Sequence, residues 1–292
     1  MRDFTDRWMP RCLGGAALLS AAAVLGILAF LIYSAIPFFW TSDLLSGFVT
    51  AWRPDATPPT YGIGPMVVGS LLLAVLATAL AFPTSVGICL FTQGIGPRWL
   101  GRVVLLIIHG MTAIPTVVYG FVAVLLLVPV LRSTEWGGTG YSLLAAGLTL
   151  SVLILPTMVL LMRVRIEQVD AHVSLSCAAL GMSRLQTLRQ VVLPLSRRGL
   201  VAGLVLGFCR ALGDTLIALM VAGNAPQVPA APTDSIRTLT AQIALVVATD
   251  WHSPEYRSVA GAGLLLFFLT TGLTIAMQRF DARADAPHDK MV

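Results

Sequence analysis

Two charged residues, Arg210 and Asp214, lie in the middle of an otherwise apolar run from Gly199 to Gly223. A charged side chain at the centre of a bilayer costs at least ~2.5 kcal/mol, so such residues are rarely retained without a partner or a role. Arginine stays charged when buried and offers a planar fork of donors that matches two oxygens of an oxyanion. The pair is therefore the leading candidate for an anion-binding site.

A continuous helix through this run predicts the geometry of the pair. Arg210 would lie about 16 Å from Gly199 along the helix axis, near the bilayer midplane. Asp214, one turn later, would share its face. In an empty site Asp214 would pair with Arg210, and in a loaded site it would accept a hydrogen bond from a protonated oxygen of the anion. The alternative is a buried ion pair that only fixes helix packing.

Hydroxyl groups at a similar depth are second-rank candidates for the same site. Thr215 follows the pair directly, and Thr116 and Tyr119 flank Pro115 in another apolar run. A proline in a spanning helix bends the axis and frees a carbonyl. The neighbouring hydroxyls would therefore either donate to an anion or satisfy the backbone, and the second role is commoner.

The composition requires a membrane setting for these residues. Hydrophobic residues make up 57% of the 292 and charged residues only 11%, whereas soluble domains carry about 25% charge. A spanning helix needs about 20 apolar residues. We predict an all-α integral membrane protein with an N-terminal segment 1–12 and one transmembrane domain 13–292, whose six spans are 13–36, 62–91, 103–131, 141–162, 199–222 and 258–277.

Basic residues indicate the orientation of this domain. The N-terminus, the 94–102 and 163–198 loops and the tail after Gln278 hold 14 of the 19 basic residues. Cytoplasmic loops carry such an excess, so both termini are predicted to be cytoplasmic. On the other side we predict connections at 37–61 and 133–140 and a longer loop at 223–257, in which residues 234–248 have helical periodicity.

The sequence argues against an enzyme. Its only lysine is Lys290, so a phosphate-binding loop of the G-x-x-x-x-G-K-S/T type is impossible. No nucleophile, base and orienting group occur at one depth. The four cysteines lack the spacing of a zinc site and are predicted to be free thiols. No metal or cofactor is expected, and any ATP that drives transport would be hydrolysed on a separate subunit.

The 163–198 loop is the second strong signal. Its apolar residues recur every three or four positions, which predicts an amphipathic helix broken near Gly181 and stopped by Pro194. Such an apolar face would either dock on a partner or lie on the bilayer surface. The residues that we expect in contact with a partner are Leu175, Ala178, Ala179, Leu180, Gly181, Met182 and Pro194.

This loop resembles that of ABC-importer permeases, which reads E-A-A, three residues, Gly, nine residues, Ile, any residue, Leu, Pro. Gly181, Val191, Leu193 and Pro194 match, whereas Leu175, Ser176 and Cys177 replace E-A-A. The resemblance implies a type I permease fold and a coupling helix that docks on an ATPase subunit.

Two further stretches are similar to the phosphate-specific subfamily of these permeases, and to its C-type more than its A-type member. RALGDT, which begins at Arg210, resembles R-A-x-G-E-T with Asp214 in place of Glu, and AIPTVVYGF spans Ala113 to Phe121. The resemblance implies a sister permease, two copies of a cytoplasmic ATP-binding subunit, and an extracytoplasmic phosphate-binding protein. Another oxyanion such as sulfate, molybdate or phosphonate, or an autonomous secondary transporter or channel, is the alternative.

Overall fold

A computed structural model describes residues 2–41, 52–134, 138–248, 250 and 253–285, which form helices and one short strand pair. The predicted connections at 37–61, 133–140 and 223–257, and the tail with Lys290, fall partly or wholly outside these ranges. The helices are α1 Arg2–Thr41, α2 Gly64–Leu90 with a π-helical turn Phe91–Ile95, α3 Arg98–Thr112, α4 Thr116–Arg132, α5 Leu143–Ala179, α6 Arg184–Leu195, α7 Arg197–Gly213, α8 Leu216–Val221, α9 Leu239–Val246 and α10 Pro254–Asp285. Strands β1 (Trp52–Arg53) and β2 (Thr60–Tyr61) pair antiparallel, which the all-helical prediction omitted.

Four of these helices contain stretches long and apolar enough to cross a membrane: Cys12–Ile36, Gly64–Ile95, Leu143–Ala179 and Pro254–Ala276. They correspond to four of the six predicted spans. Two bent pairs, α3 with α4 and α6 with α7, pass the same test only together. The described residues therefore contain four to six candidate spans.

The predicted span 103–131 is not one continuous helix. Its two halves, α3 and α4, are bent by 103° at a short break. Pro115 lies in the break with extended backbone angles. Proline lacks an N–H and disfavours helical geometry in the residue before it, so α3 ends and a new helix begins.

The predicted span 199–222 is also interrupted. Helix α7 ends at Gly213, Asp214 has extended backbone angles, and α8 begins at Leu216. Arg210 and Asp214 therefore do not lie on one continuous helix, which corrects the predicted geometry. The predicted helical periodicity over 234–248 is confirmed for α9, although Ile236 precedes the helix and bonds to the carbonyl of Ala222 instead.

Helix α5 is the centre of the fold, because it packs against both α2 and α7. Its fully buried side chains include Ile154, Met158, Met162 and Ile166. The helix continues well beyond the predicted end at Met162, into the segment that was expected to be a loop. The membrane core and the 163–198 region are thus joined by one rigid element.

Glycines at four-residue steps bring α7 close to α5. A Cβ at Gly203 would lie 2.6 Å from Met162, one at Gly207 would lie 2.5 Å from Met158, and one at Gly199 would overlap Arg165. Small residues at this spacing allow a close helix approach. The stripe packs on this chain's own α5.

Substitution of Gly199 by alanine should destabilise the protein by about 1–3 kcal/mol, because Cβ and Cγ of Arg165 leave no space for a methyl group. The melting temperature in detergent measures the effect. Gly213→Ala is the matched control, since a Cβ there meets nothing within 4 Å. Equal melting temperatures for the two variants would contradict this account of the helix contact.

Candidate functional site

Two helix breaks lie in one neighbourhood of the fold, the α3–α4 break around Pro115 and the α7–α8 break at Asp214. Helices α4 and α8, which follow these breaks, pack against each other. The approach is close, because a Cβ at Gly120 would lie 2.8 Å from the sulfur of Met220. Interrupted helices of this kind form the substrate sites of many transporters, since their free ends expose polar backbone groups.

The side chain of Asp214 caps the N-terminus of α8. Its Oδ2 accepts a hydrogen bond from the Ile217 N–H at 2.9 Å, and its backbone carbonyl accepts one from the Thr240 hydroxyl at 2.9 Å. A short carboxylate is among the best caps for a helix N-terminus. The aspartate is therefore suited to this position, where the resembling subfamily has glutamate. An Asp directly before an apolar run was a readable capping signal, and the sequence analysis did not use it.

Arg210 lies in the last turn of α7 with its side chain exposed. It makes no ion pair within 4 Å with Asp214 or with any other carboxylate that the structure describes. It still interacts electrostatically with both Asp214 and Tyr119, so these three residues are brought together. The predicted closed Arg210–Asp214 pair is thus absent, and the guanidinium is available to another group.

The hydroxyl candidates have different environments. Tyr119 donates a hydrogen bond to the carbonyl of Met111 at 2.9 Å and so bridges the α3–α4 break. Thr116 is the first residue of α4, and Thr215 directly precedes α8 without capping it; both are half-buried. The sequence allowed two roles for these hydroxyls, donating to an anion or satisfying a backbone carbonyl. Tyr119 has the second of these roles.

An apolar cavity of about 560 Å³ lies between α4 and α5. Neither Arg210 nor Asp214 lines it, and its surface suits a hydrocarbon chain rather than an anion. Its lining residues are Ile114, Val118, Tyr119, Val122, Ala123, Leu126, Leu127, Leu148, Thr149, Ser151 and Val152.

The 163–198 region forms a helical hairpin, with the helix break that the sequence predicts near Gly181. Helix α5 ends at Ala179, Gly181 has a φ of +74° in the turn, and α6 ends at Leu195, one residue after Pro194. Leu188 and Val192 are buried within the chain. The seven predicted contact residues are exposed apart from half-buried Met182, and the large apolar ones, Leu175 and Leu180, are 82% and 80% exposed.

A network around Arg184 fixes this hairpin. Its guanidinium makes two bonds of 2.7 Å to the Asp170 carboxylate on α5 and a third of 2.7 Å to the Gln93 carbonyl after α2. The bonds to Asp170 raise the pKa of Arg184 above its usual value. Ser183 and Gln186 form a capping box that starts α6. Sequence analysis missed this network, although S-x-x-Q was a readable helix start.

The sequence is similar to those of known membrane transport proteins. The model of the binding-protein-dependent transport system inner membrane component family matches residues 95–286. The chain is 33% identical over 258 residues to the probable ABC transporter permease protein YqgH of Bacillus subtilis (strain 168), covering 87% of this chain and 84% of that protein. It is 31% identical over 256 residues to the phosphate transport system permease protein PstC of Pasteurella multocida (strain Pm70), covering 80% and 79%.

Solved structures agree on the fold. The MetNI methionine ABC transporter in an inward-facing conformation matches with a TM-score of 0.57 at 17% identity, over 73% of this chain and 91% of that chain. An amino acid ABC transporter with histidines matches with a TM-score of 0.54 at 16% identity, over 75% and 92%. The predicted ABC-importer permease fold is confirmed. Because the family model and the curated relatives extend over most of its length, this chain belongs to the binding-protein-dependent transport system inner membrane component family.

Proposed function

We propose that this chain is the transmembrane permease subunit of an ATP-driven phosphate importer. The observation that carries the proposal is Arg210, an exposed guanidinium beside two helix breaks with no described carboxylate in ion-pair distance. A charge at membrane depth is too costly to face lipid, so it must face protein or a water-filled path. Several curated relatives are named phosphate transport system permease protein PstC, which favours phosphate as the anion.

The exposure of Arg210 favours a translocation pathway shared with a second chain. A single subunit leaves this guanidinium on its surface, whereas a sister permease would enclose it. Within that pathway Arg210 would bind two phosphate oxygens, and Asp214 would accept a hydrogen bond from a protonated oxygen. Fully ionised sulfate has no proton to offer, so this contact would also discriminate.

The hairpin around Gly181 is the proposed coupling element. Its exposed leucines would dock in a groove of a cytoplasmic ATP-binding subunit, of which two copies are expected. Arg184 ties the hairpin to α5 and to the end of α2, so movement of the docked tip would reach the membrane helices directly. An extracytoplasmic binding protein would deliver phosphate on the opposite side of the inner membrane, and both termini would be cytoplasmic.

Asp214→Asn should impair phosphate uptake or relax selectivity against sulfate while leaving the fold intact. The asparagine oxygen can still accept the Ile217 N–H, so the cap of α8 survives, but the negative charge is lost. Asp214→Ala is the comparison, because it removes the cap as well. The measurement is uptake of radiolabelled phosphate with and without excess sulfate, and unchanged uptake and selectivity in Asp214→Asn would favour a purely structural aspartate.

Purification with partners tests the whole proposal. The assembled complex, reconstituted into liposomes with a binding protein and ATP, should accumulate phosphate in preference to sulfate, molybdate and phosphonate. Preference for sulfate, molybdate or phosphonate would mean that the importer carries that oxyanion instead of phosphate. Transport by this chain alone, without ATP or a co-purifying ATPase, would instead indicate an autonomous secondary transporter or channel.

A further inference from the structure

A second group of arginines lies at the far end of α2 from the coupling hairpin. Arg53 on β1 and Arg237 before α9 line one cavity of about 470 Å³, together with Trp52, Pro54, Asp55, Ala56 and Pro226. The backbone of Arg237 rests on the first turns of α2, where a Cβ at Gly69 would lie 2.7 Å from its carbonyl oxygen. The Gln93 carbonyl that Arg184 binds follows the other end of the same helix, about 40 Å away at 1.5 Å per residue.

Arg237 is held by neutral groups only. Its Nε donates to the Asn224 carbonyl at 2.8 Å and its Nη1 donates to Oε1 of Gln242 at 3.0 Å. Partial burial lowers the pKa of Arg237 below its usual value, and no described carboxylate forms an ion pair with it. A half-buried guanidinium that is oriented but not neutralised is suited to an anion.

The surroundings reinforce the positive character of this cavity. Gln242 is fully buried, and its Nε2 donor has no partner among the described residues. Arg53 adds a second, exposed guanidinium at the rim. Asp55 also lines the cavity and opposes an anion, but the lining contains two arginines and one aspartate.

The cavity is connected to the candidate site by the start of α9. Arg237 directly precedes Thr238, whose hydroxyl lies 3.0 Å from that of Thr240. Thr240 in turn donates to the backbone carbonyl of Asp214 at 2.9 Å. One short segment therefore touches both the arginine cavity and the helix break at Asp214.

We propose that the cavity lined by Arg53 and Arg237 is an entry site that receives a tetrahedral oxyanion before it passes to Arg210. The inference rests on the proposed function for the identity of the anion, phosphate. The two guanidinium groups would bind its oxygens next to the segment from Arg237 to Thr240, which contacts the α7–α8 break. Arg210 does not line this cavity and lies outside the chain segments that form it.

Thiol labelling tests the site without relying on transport. In the assembled importer, with Cys12 and Cys209 replaced by serine, Ala56→Cys places a thiol on the cavity wall. The measured quantity is the rate at which this thiol reacts with an anionic methanethiosulfonate reagent, divided by its rate with a cationic one. Arg53→Gln should lower this ratio on the order of fivefold, the effect of removing one positive charge about 8 Å away in water. Arg237→Gln should lower the ratio too, and inorganic phosphate should slow labelling only while both arginines are present.

Arg132→Gln is the matched control, because Arg132 also donates to a carbonyl, that of Thr139, but does not line the cavity. Arg53 is exposed, so Arg53→Gln remains informative even if Arg237→Gln fails to fold. An unchanged ratio in Arg53→Gln, or the same fall in Arg132→Gln, would overturn the entry site. Absence of phosphate uptake by the unmodified importer would reject the proposed function instead, and the reagent ratio is independent of that result.

Discussion

Replacement of Arg210 by glutamine is expected to lower phosphate uptake by at least ~100-fold, since two charge-assisted hydrogen bonds to the anion contribute about 1.5–3 kcal/mol each. Assembly and membrane insertion should be unaffected, because Arg210 is exposed and makes no ion pair with a described carboxylate. Initial rates of radiolabelled phosphate uptake, normalised to the amount of assembled complex, measure the effect.

Two variants separate anion binding from helix structure. Arg210→Lys keeps the charge but loses the planar fork of donors, so its uptake should be intermediate. Leu206→Gln introduces the same side chain one turn earlier on the exposed face of α7, and it should retain most of the activity. Normal uptake in Arg210→Gln, or an equal loss in Leu206→Gln, would remove Arg210 from the site.

Replacement of Gly181 by valine is expected to uncouple ATP hydrolysis from transport. Gly181 has a φ of +74°, and a Cβ there would meet no atom within 4 Å. The cost is therefore conformational, about 1–2 kcal/mol or more for a β-branched residue in the left-handed region. The turn between α5 and α6 would rearrange, and the exposed leucines would leave their docking position. Stimulation of ATPase activity by loaded binding protein should be lost.

Two further variants serve as controls for the substitution of Gly181 by valine. Asparagine tolerates the left-handed region, so Gly181→Asn should keep most of the stimulation. Gly138 has a φ of +51°, is exposed, and lies on the predicted opposite side of the membrane. Gly138→Val imposes a similar strain there and should leave stimulation intact. Full stimulation in Gly181→Val would show that this turn does not couple the subunits.

Local sequence patterns were sufficient for much of the fold. Uninterrupted apolar runs correctly predicted four helices that are long and apolar enough to cross a membrane, because the free energy of placing a segment in a bilayer is a sum over its own residues. The turn at Gly181 and the helix at 239–246 were predicted for similarly local reasons. The sequence predicted only a bend at Pro115 and a continuous helix through Asp214, whereas both helices are broken. Apolar content outweighed the local signals for a helix end at these two positions.

The sequence by itself determined that this is a helical membrane protein of the importer permease type, and it predicts an arginine at membrane depth and a coupling loop on the cytoplasmic side. Only the tertiary structure decided which groups those residues contact. Arg184 bonds to Gln93 and Arg237 lines a cavity with Arg53, although both pairs are far apart in the chain. The free energy of inserting a segment into the bilayer and its helical periodicity depend on residues that are neighbours in the sequence. The partner of a charged side chain depends instead on how distant segments pack.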